Sequence, residues 1–119
     1  TGDYLVRNVM GVDPQNNLLA IGAYVETGQS VMFCKRDAQS AREDLERMLA
    51  SITAERGRPR GGLYYACLGR GAQMFGRKSR EMEMVRDALG DVPLVGFACN
   101  GEISHDRLYG YTGVLALFY

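Results

Sequence analysis

Gly62-Leu-Tyr-Tyr-Ala-Cys-Leu-Gly-Arg-Gly71 and Gly96-Phe-Ala-Cys-Asn-Gly-Glu-Ile103 carry one short text twice. Each passes through aromatic-Ala-Cys-x-Gly, at Tyr65-Ala-Cys-Leu-Gly69 and at Phe97-Ala-Cys-Asn-Gly101, and then meets one charged residue, Arg70 or Glu102. Short apolar runs that break at glycine read as buried strands. Between them Met82, Val85, Ala88 and Leu89 share one helical face, with Ser79 placed to cap the helix and Gly90 to stop it. Strand, helix, strand with short links is a crossover unit, which is parallel in nearly all known cases. Both glycine loops are then expected to open on the same edge of one sheet, with Arg70 near Glu102.

Upstream, Tyr4 to Val12 and Leu18 to Val25 are rich in β-formers and flank the turn cluster Asp13-Pro-Gln-Asn-Asn17. Thr27-Gly28 separates a third such stretch, Gln29 to Lys35, so an antiparallel meander is expected. Asp37 stands as an N-cap for a helix from about Ala38 to Glu55. Its stripe is Ala38, Ala41, Leu45, Met48, Leu49 and Ile52, and Gly57 and Pro59 end it. Gly113 to Tyr119 is the last strand; apolar on both alternations, it reads as central or covered on both sides. The expected fold is α+β, a mixed α/β arrangement. A sheet of about six strands would combine the N-terminal meander with one βαβ crossover and two main helices, as a single domain over residues 1–119.

A chain of 119 residues can bury about two thirds of its unfolded surface, enough for a core without staples. No apolar run reaches the ~18 residues of a membrane helix, and no signal-peptide pattern is read at the start. The first residue, Thr1, reads as the start of a cut piece of a longer protein. Three cysteines, Cys34, Cys67 and Cys99, sit in apolar strand-like stretches. An odd, small count speaks against a disulfide framework and fits a reducing, cytoplasmic compartment. Formal charge is zero, but residues 56–80 hold seven cations and no acid. That island reads as a solvated loop and helix start or as an anion site. Neutral overall charge speaks against a nucleic-acid partner.

Gly69, Gly71 and Gly101 let the backbone approach a ligand closely, beyond the carboxyl ends of parallel strands where open sheets bind ligands. Arg70 can grip a carboxylate through two parallel hydrogen bonds; Glu102 can receive an ammonium, and Asn100 can orient either. The six residues together suit a zwitterion such as an amino acid. Alternatively, Arg70 and Glu102 pair with each other and brace the edge. Gly69-Arg-Gly-Ala-Gln-Met-Phe-Gly76 lacks the Gly-Lys-Ser/Thr ending of a phosphate loop, so no nucleotide cofactor is expected. An enzymatic alternative uses Cys99 as nucleophile with His105, the one histidine, as its base, on small acyl or amide substrates. A zinc site would need the three cysteines and His105 to converge without the usual close spacing, and no metal is expected. A ligand-free scaffold is the remaining alternative.

Cys67-x-Gly-Arg-Gly71 with Phe75-Gly76, Gly96-Phe97-x-x-Asn-Gly-Glu-Ile103, and Gly110-Tyr-Thr-Gly113 before a terminal strand resemble the C-terminal domain of the FIST family. The resemblance covers most of the chain and is strongest from Gly62 onward. It implies a non-catalytic, cytoplasmic sensory domain for small ligands, amino acids or their derivatives among them. It also implies an N-terminal partner half and attached output modules such as chemoreceptor, kinase or cyclic-dinucleotide domains.

Overall fold

The computed structural model describes residues 4–76 and 80–119 and divides into two units, Thr1–Lys35 and Arg36–Tyr119. In the first, an antiparallel hairpin joins β1 (Val9–Asp13) to β2 (Leu18–Ile21). Asp13 makes the reversal. Its carboxylate accepts from the backbone N–H groups of Gln15 and Asn16 and from the Asn16 side-chain amide, the local bonding that makes Asp a turn former. Those bonds, the Asn16 side chain foremost, hold the Asp13 carboxyl below its ordinary range. The expected meander stops at two strands: among the described residues, Gln29 to Lys35 forms none. Strand propensity reports fit to a neighbouring pleated surface, and this stretch pairs with none.

The second unit opens with α1 (Ala38–Arg56), which Asp37 caps by accepting from the Ser40 N–H. Leu45 and Leu49 turn inward from it. Next come β3 (Gly61–Cys67), a 3-10 turn (Leu68–Arg70), a single helical turn α2 (Ala72–Phe75) and α3 (Arg80–Leu89). β4 (Leu94–Cys99), β5 (Glu102–Ser104), β6 (Arg107–Tyr109) and β7 (Gly113–Phe118) complete the chain. The expected Ser79 cap lies outside the described residues, as do Arg77 and Lys78 of the basic island.

β3 and β4 are parallel and β7 is antiparallel to β3, in the order β4-β3-β7. The crossover unit is therefore present as expected. The strands do not merge into one sheet: β1-β2 and β5-β6 are separate two-stranded ribbons. Nor is β7 central; it lies at the edge of its sheet.

One face of the three-stranded sheet carries Gly62, Tyr64, Leu94, Leu115 and Leu117, paired across the register. The core lies on this side: Leu94, Leu115 and Leu117 meet Leu45, Leu49, Phe75, Met84, Val85, Leu89 and Val92. The opposite face carries Tyr65, Val95, Phe97, Val114 and Phe118. The last four of these are exposed, Val95 by 68% and Phe97 by 64%. Tyr65 and Phe97 meet edge to face across the strands, 5.1 Å between centroids, an arrangement aromatic pairs favour.

The inward stripe of α3 differs from the expected one. Glu81, Met84, Val85 and Leu89 are buried, whereas Ala88 is exposed. Both stripes have helical spacing. The observed one places a carboxylate, Glu81, in the core layer.

Candidate ligand site at the ends of the parallel strands

Cys67 stands opposite Cys99 in the parallel register, so the Gly69-Arg-Gly71 and Asn100-Gly-Glu102 segments leave the sheet at the same end, as the sequence implies. The two charged residues are not partners of each other in the described contacts. Arg70 turns to α3, where its Nε and Nη2 reach Glu81 Oε1 at 2.7 and 2.6 Å. Its guanidinium carbon lies 5.0 Å from the centre of the Phe75 ring. Glu102, 9% exposed, accepts from the Thr112 hydroxyl and from the Cys99 thiol.

One loop links the two arrangements. Arg70 Nη1 also donates to the Tyr111 carbonyl at 3.4 Å, and the next residue, Thr112, donates to Glu102. The Thr112 carbonyl in turn accepts from the Cys67 N–H at 3.0 Å. Tyr111 adopts φ 62 and lays its ring against Gly69, where a Cβ would come within 2.6 Å of the ring. Arg36 covers the same ring at 5.0 Å and donates to the Gly69 carbonyl. Gly69 is thus required by close approach, and its neighbourhood is occupied by Tyr111. Asn100 is exposed, and Gly101 is half-buried beside Tyr109.

The open space lies next to that rim. A groove of about 570 Å³ is lined by Tyr64, Ala66 and Cys67 of β3, by Leu94 to Ala98 of β4, by Leu68 to Gly76 in part, and by Glu81 and Met82. Of the six sequence-derived site residues, Gly71 lines it, and Arg70 fixes the Glu81 carboxylate at its wall. Tyr64 is 5% exposed, and its hydroxyl has no hydrogen-bond partner of good geometry, although Glu81 and Arg70 flank it. Burial, reinforced by the Glu81 carboxylate, pushes that hydroxyl well above the ordinary tyrosine range, so it stays a neutral donor and acceptor. The hydroxyl oxygen itself is enclosed, turned towards Gly113 of β7 with the Arg70 guanidinium beside it.

Tyr64 and Glu81 were not among the expected site residues. The signal for Glu81 was its position three and four residues before Met84 and Val85, which puts an acid on the apolar stripe. Tyr64 gave no separate signal within its apolar run.

Cys99 and His105 are held apart in role. Cys99 donates towards the Ala66 carbonyl and Glu102, while His105 sits in the exposed β5–β6 turn at φ 54. Burial first, then the adjacent Glu102, pushes the Cys99 thiol up, which disfavours the thiolate a nucleophile needs. Among the described residues no group of three His, Cys, Asp or Glu side chains could hold a metal ion. No helix of the described residues is long and apolar enough to cross a membrane.

The FIST C domain model matches residues 1–105, and the chain belongs to that family of sensory-type domains in signal transduction. It is 42% identical over 122 residues to the uncharacterized protein Rv0628c of Mycobacterium tuberculosis (strain ATCC 25618 / H37Rv), covering 98% of this chain and 32% of that protein. It is 37% identical over 123 residues to the uncharacterized protein Mb0898c of Mycobacterium bovis (strain ATCC BAA-935 / AF2122/97), again covering 98% and 32%. The chain therefore spans about a third of the length of the curated relatives it matches. No solved structure matches it.

Proposed function

We propose that this domain is a non-catalytic sensor that binds a small molecule in the groove beside β3 and β4. The observation that carries the reading is the groove of about 570 Å³ whose wall holds the buried Glu81 carboxylate, fixed there by Arg70. That volume falls in the range of small-molecule sites, which combine apolar walls with a few fixed polar groups. The groove also begins where parallel strands end, the place open sheets favour for ligands. Arg70 and Gly71 belong to this site, Arg70 as a positioning residue; Gly69, Asn100, Gly101 and Glu102 shape and brace its rim. An amino acid held by Arg70 would have to displace Glu81, so the geometry supports that ligand class less well than residue types alone do. Three free cysteines support a reducing, cytoplasmic setting.

The test is chemical-shift mapping of the 119-residue chain against amino acids, amides, sugars and aromatic fragments. A binder should move Tyr64, Phe75 and Met82. Binders that move only residues remote from the groove, or silence across the whole set, would defeat the reading.

A second reading concerns partners. Val95, Phe97, Val114 and Phe118 form an exposed apolar face on one side of the sheet, and relatives are about three times longer than the match. Contiguous apolar patches of this kind mark interaction surfaces. We assign the face to the remainder of a longer protein, an N-terminal FIST half with signalling output beyond it. Co-expression of such a half should protect the β4 and β7 amides from exchange and be abolished by Phe97→Lys; protection that survives Phe97→Lys would refute the assignment.

A further inference from the structure

We infer that the ligand of this groove is peptide-like: a short, extended chain of amides with apolar side chains, which adds as a further strand to the free outer edge of β4. This rests on the small-molecule reading above and names its ligand class.

The register decides which main-chain groups are free. Gly62 donates its N–H to the Pro93 carbonyl at 3.0 Å and stands opposite Leu94 in the parallel ladder. A strand residue turns its N–H and C=O to one side, and its neighbours turn theirs to the other. Val95 and Phe97 therefore bond to β3, and Leu94, Gly96 and Ala98 direct their groups outward. Among the described residues no strand pairs with that edge, because the sheet order is β4-β3-β7. Such a row of donors and acceptors is a template for another extended chain.

The groove runs along that row. Leu94, Val95, Gly96, Phe97 and Ala98 line it in succession. Successive strand residues face opposite sides of a sheet, so a space that touches every one of them reaches the edge of the strand. Leu94 packs on the core, but Gly96 and Ala98, on the same side of the sheet, are exposed. Their small size leaves room in the groove, and Phe75 and Met82 supply apolar wall to the same space. A strand laid beside β4 shares its pleat. Side chains level with Gly96 and Ala98 enter the groove, and the alternate ones lie beside the exposed Val95 and Phe97. Apolar side chains gain in both places by leaving water. Leu94 to Ala98 spans about 13 Å at the rise of a strand, the reach of a capped tripeptide.

The probe is the capped peptide acetyl-valyl-phenylalanyl-valine amide, titrated into the isotope-labelled 119-residue chain. Its ends carry no charge, so main chain and apolar side chains are what is tested. It should bind with a dissociation constant of roughly 0.1–1 mM, as suits so small a ligand. The amide protons of Gly96 and Ala98 should move downfield and exchange more slowly, while those of Val95 and Phe97, already bonded to β3, change little. The same peptide methylated at every backbone nitrogen keeps the side chains and loses the donors; it should bind at least about tenfold more weakly. Ala98→Pro removes an outward N–H and no bond to β3, a place where an edge strand tolerates proline. It should weaken the parent peptide at least about threefold with the spectrum still folded. Equal binding of the methylated peptide to the native chain overturns the inference, whatever Ala98→Pro does to folding. So does a peptide that moves Phe75 and Met82 without slowing exchange at Gly96 and Ala98. Protection of those two amides that grows with protein concentration, without peptide, assigns the edge to a second copy and also overturns it. If the peptide is silent but another small molecule moves Tyr64, Phe75 and Met82, the ligand class is wrong and the sensor reading stands. Silence from the peptide and from the wider set removes both.

Discussion

Arg70 closes on Glu81, eleven residues further along the chain, with two nitrogens on one carboxylate oxygen and both side chains largely withdrawn from water, at 15% and 10% exposure. The pair fastens the loop after β3 to the start of α3 and lies against the Phe75 ring. Removing one partner of such a pair strands a buried charge and costs about 3–5 kcal/mol, whereas replacing both by apolar groups of similar volume is often neutral. Arg70→Ala is therefore expected to lower the urea midpoint strongly. Arg70→Met combined with Glu81→Met should recover most of the loss. A double variant no more stable than Arg70→Ala would show that the pair contributes more than mutual neutralisation.

Gly96 tests the packing of β4 on β3. A Cβ at this position would collide with the backbone carbonyl of Tyr64, a group that cannot rotate away. Gly96→Ala should cost about 3 kcal/mol, the upper end for overpacking, with groove reporters at Tyr64 and Phe75 shifted even in the folded fraction. Thermal denaturation of the variant within about 2 °C of the parent, less than 1 kcal/mol would produce, would contradict the strand pairing drawn here.

Tyr64 gives a pH signature. Its hydroxyl is pushed up in the fold by burial and by Glu81, above the ~10 of a free tyrosine. A group that holds its proton more tightly when folded contributes stability below its unfolded pKa and loses it as pH rises towards the folded value. Stability should therefore be insensitive to Tyr64 at neutral pH and decline above about pH 10. Among the seven tyrosines, absorbance at 295 nm should show Tyr64 ionising last, together with unfolding. Tyr64→Phe should remove that late step; a late step that persists in Tyr64→Phe would assign it to another residue.

Much of the second unit was legible because its signals are local or periodic. Asp37 announces a helix through a side-chain acceptor placed three residues before Ser40, and the repeated aromatic-Ala-Cys-x-Gly text fixes two parallel neighbours whose ends coincide at Cys67 and Cys99. What the sequence hid depends on direction rather than type. Arg70 and Glu102 do leave the sheet at one end, yet each finds a nearer partner, because α3 turns Glu81 inward and the loop before β7 brings Thr112 to Glu102. A choice between two helical stripes on α3, one place apart, decided which acid met Arg70. The third strand of the meander failed for a related reason: Gln29 to Lys35 has strand-forming residues but pairs with no neighbour.

Cys99 and Cys34 offer a direct check on the non-catalytic reading. Cys34 is exposed, whereas Cys99 is half-buried, donates to Ala66 and Glu102, and has its thiol pushed up by burial and by that carboxylate. Because the thiolate is the reacting form, iodoacetamide at pH 7.5 should label the exposed Cys34 first, with Cys99 lagging behind it. Glu102→Gln removes the neighbouring negative charge while keeping an acceptor for Thr112, so the lag should shorten. Peptide mapping by mass spectrometry reads both sites in one sample. Cys99 labelling ahead of Cys34, with a rate that depends on His105, would instead place a working nucleophile at the end of β4.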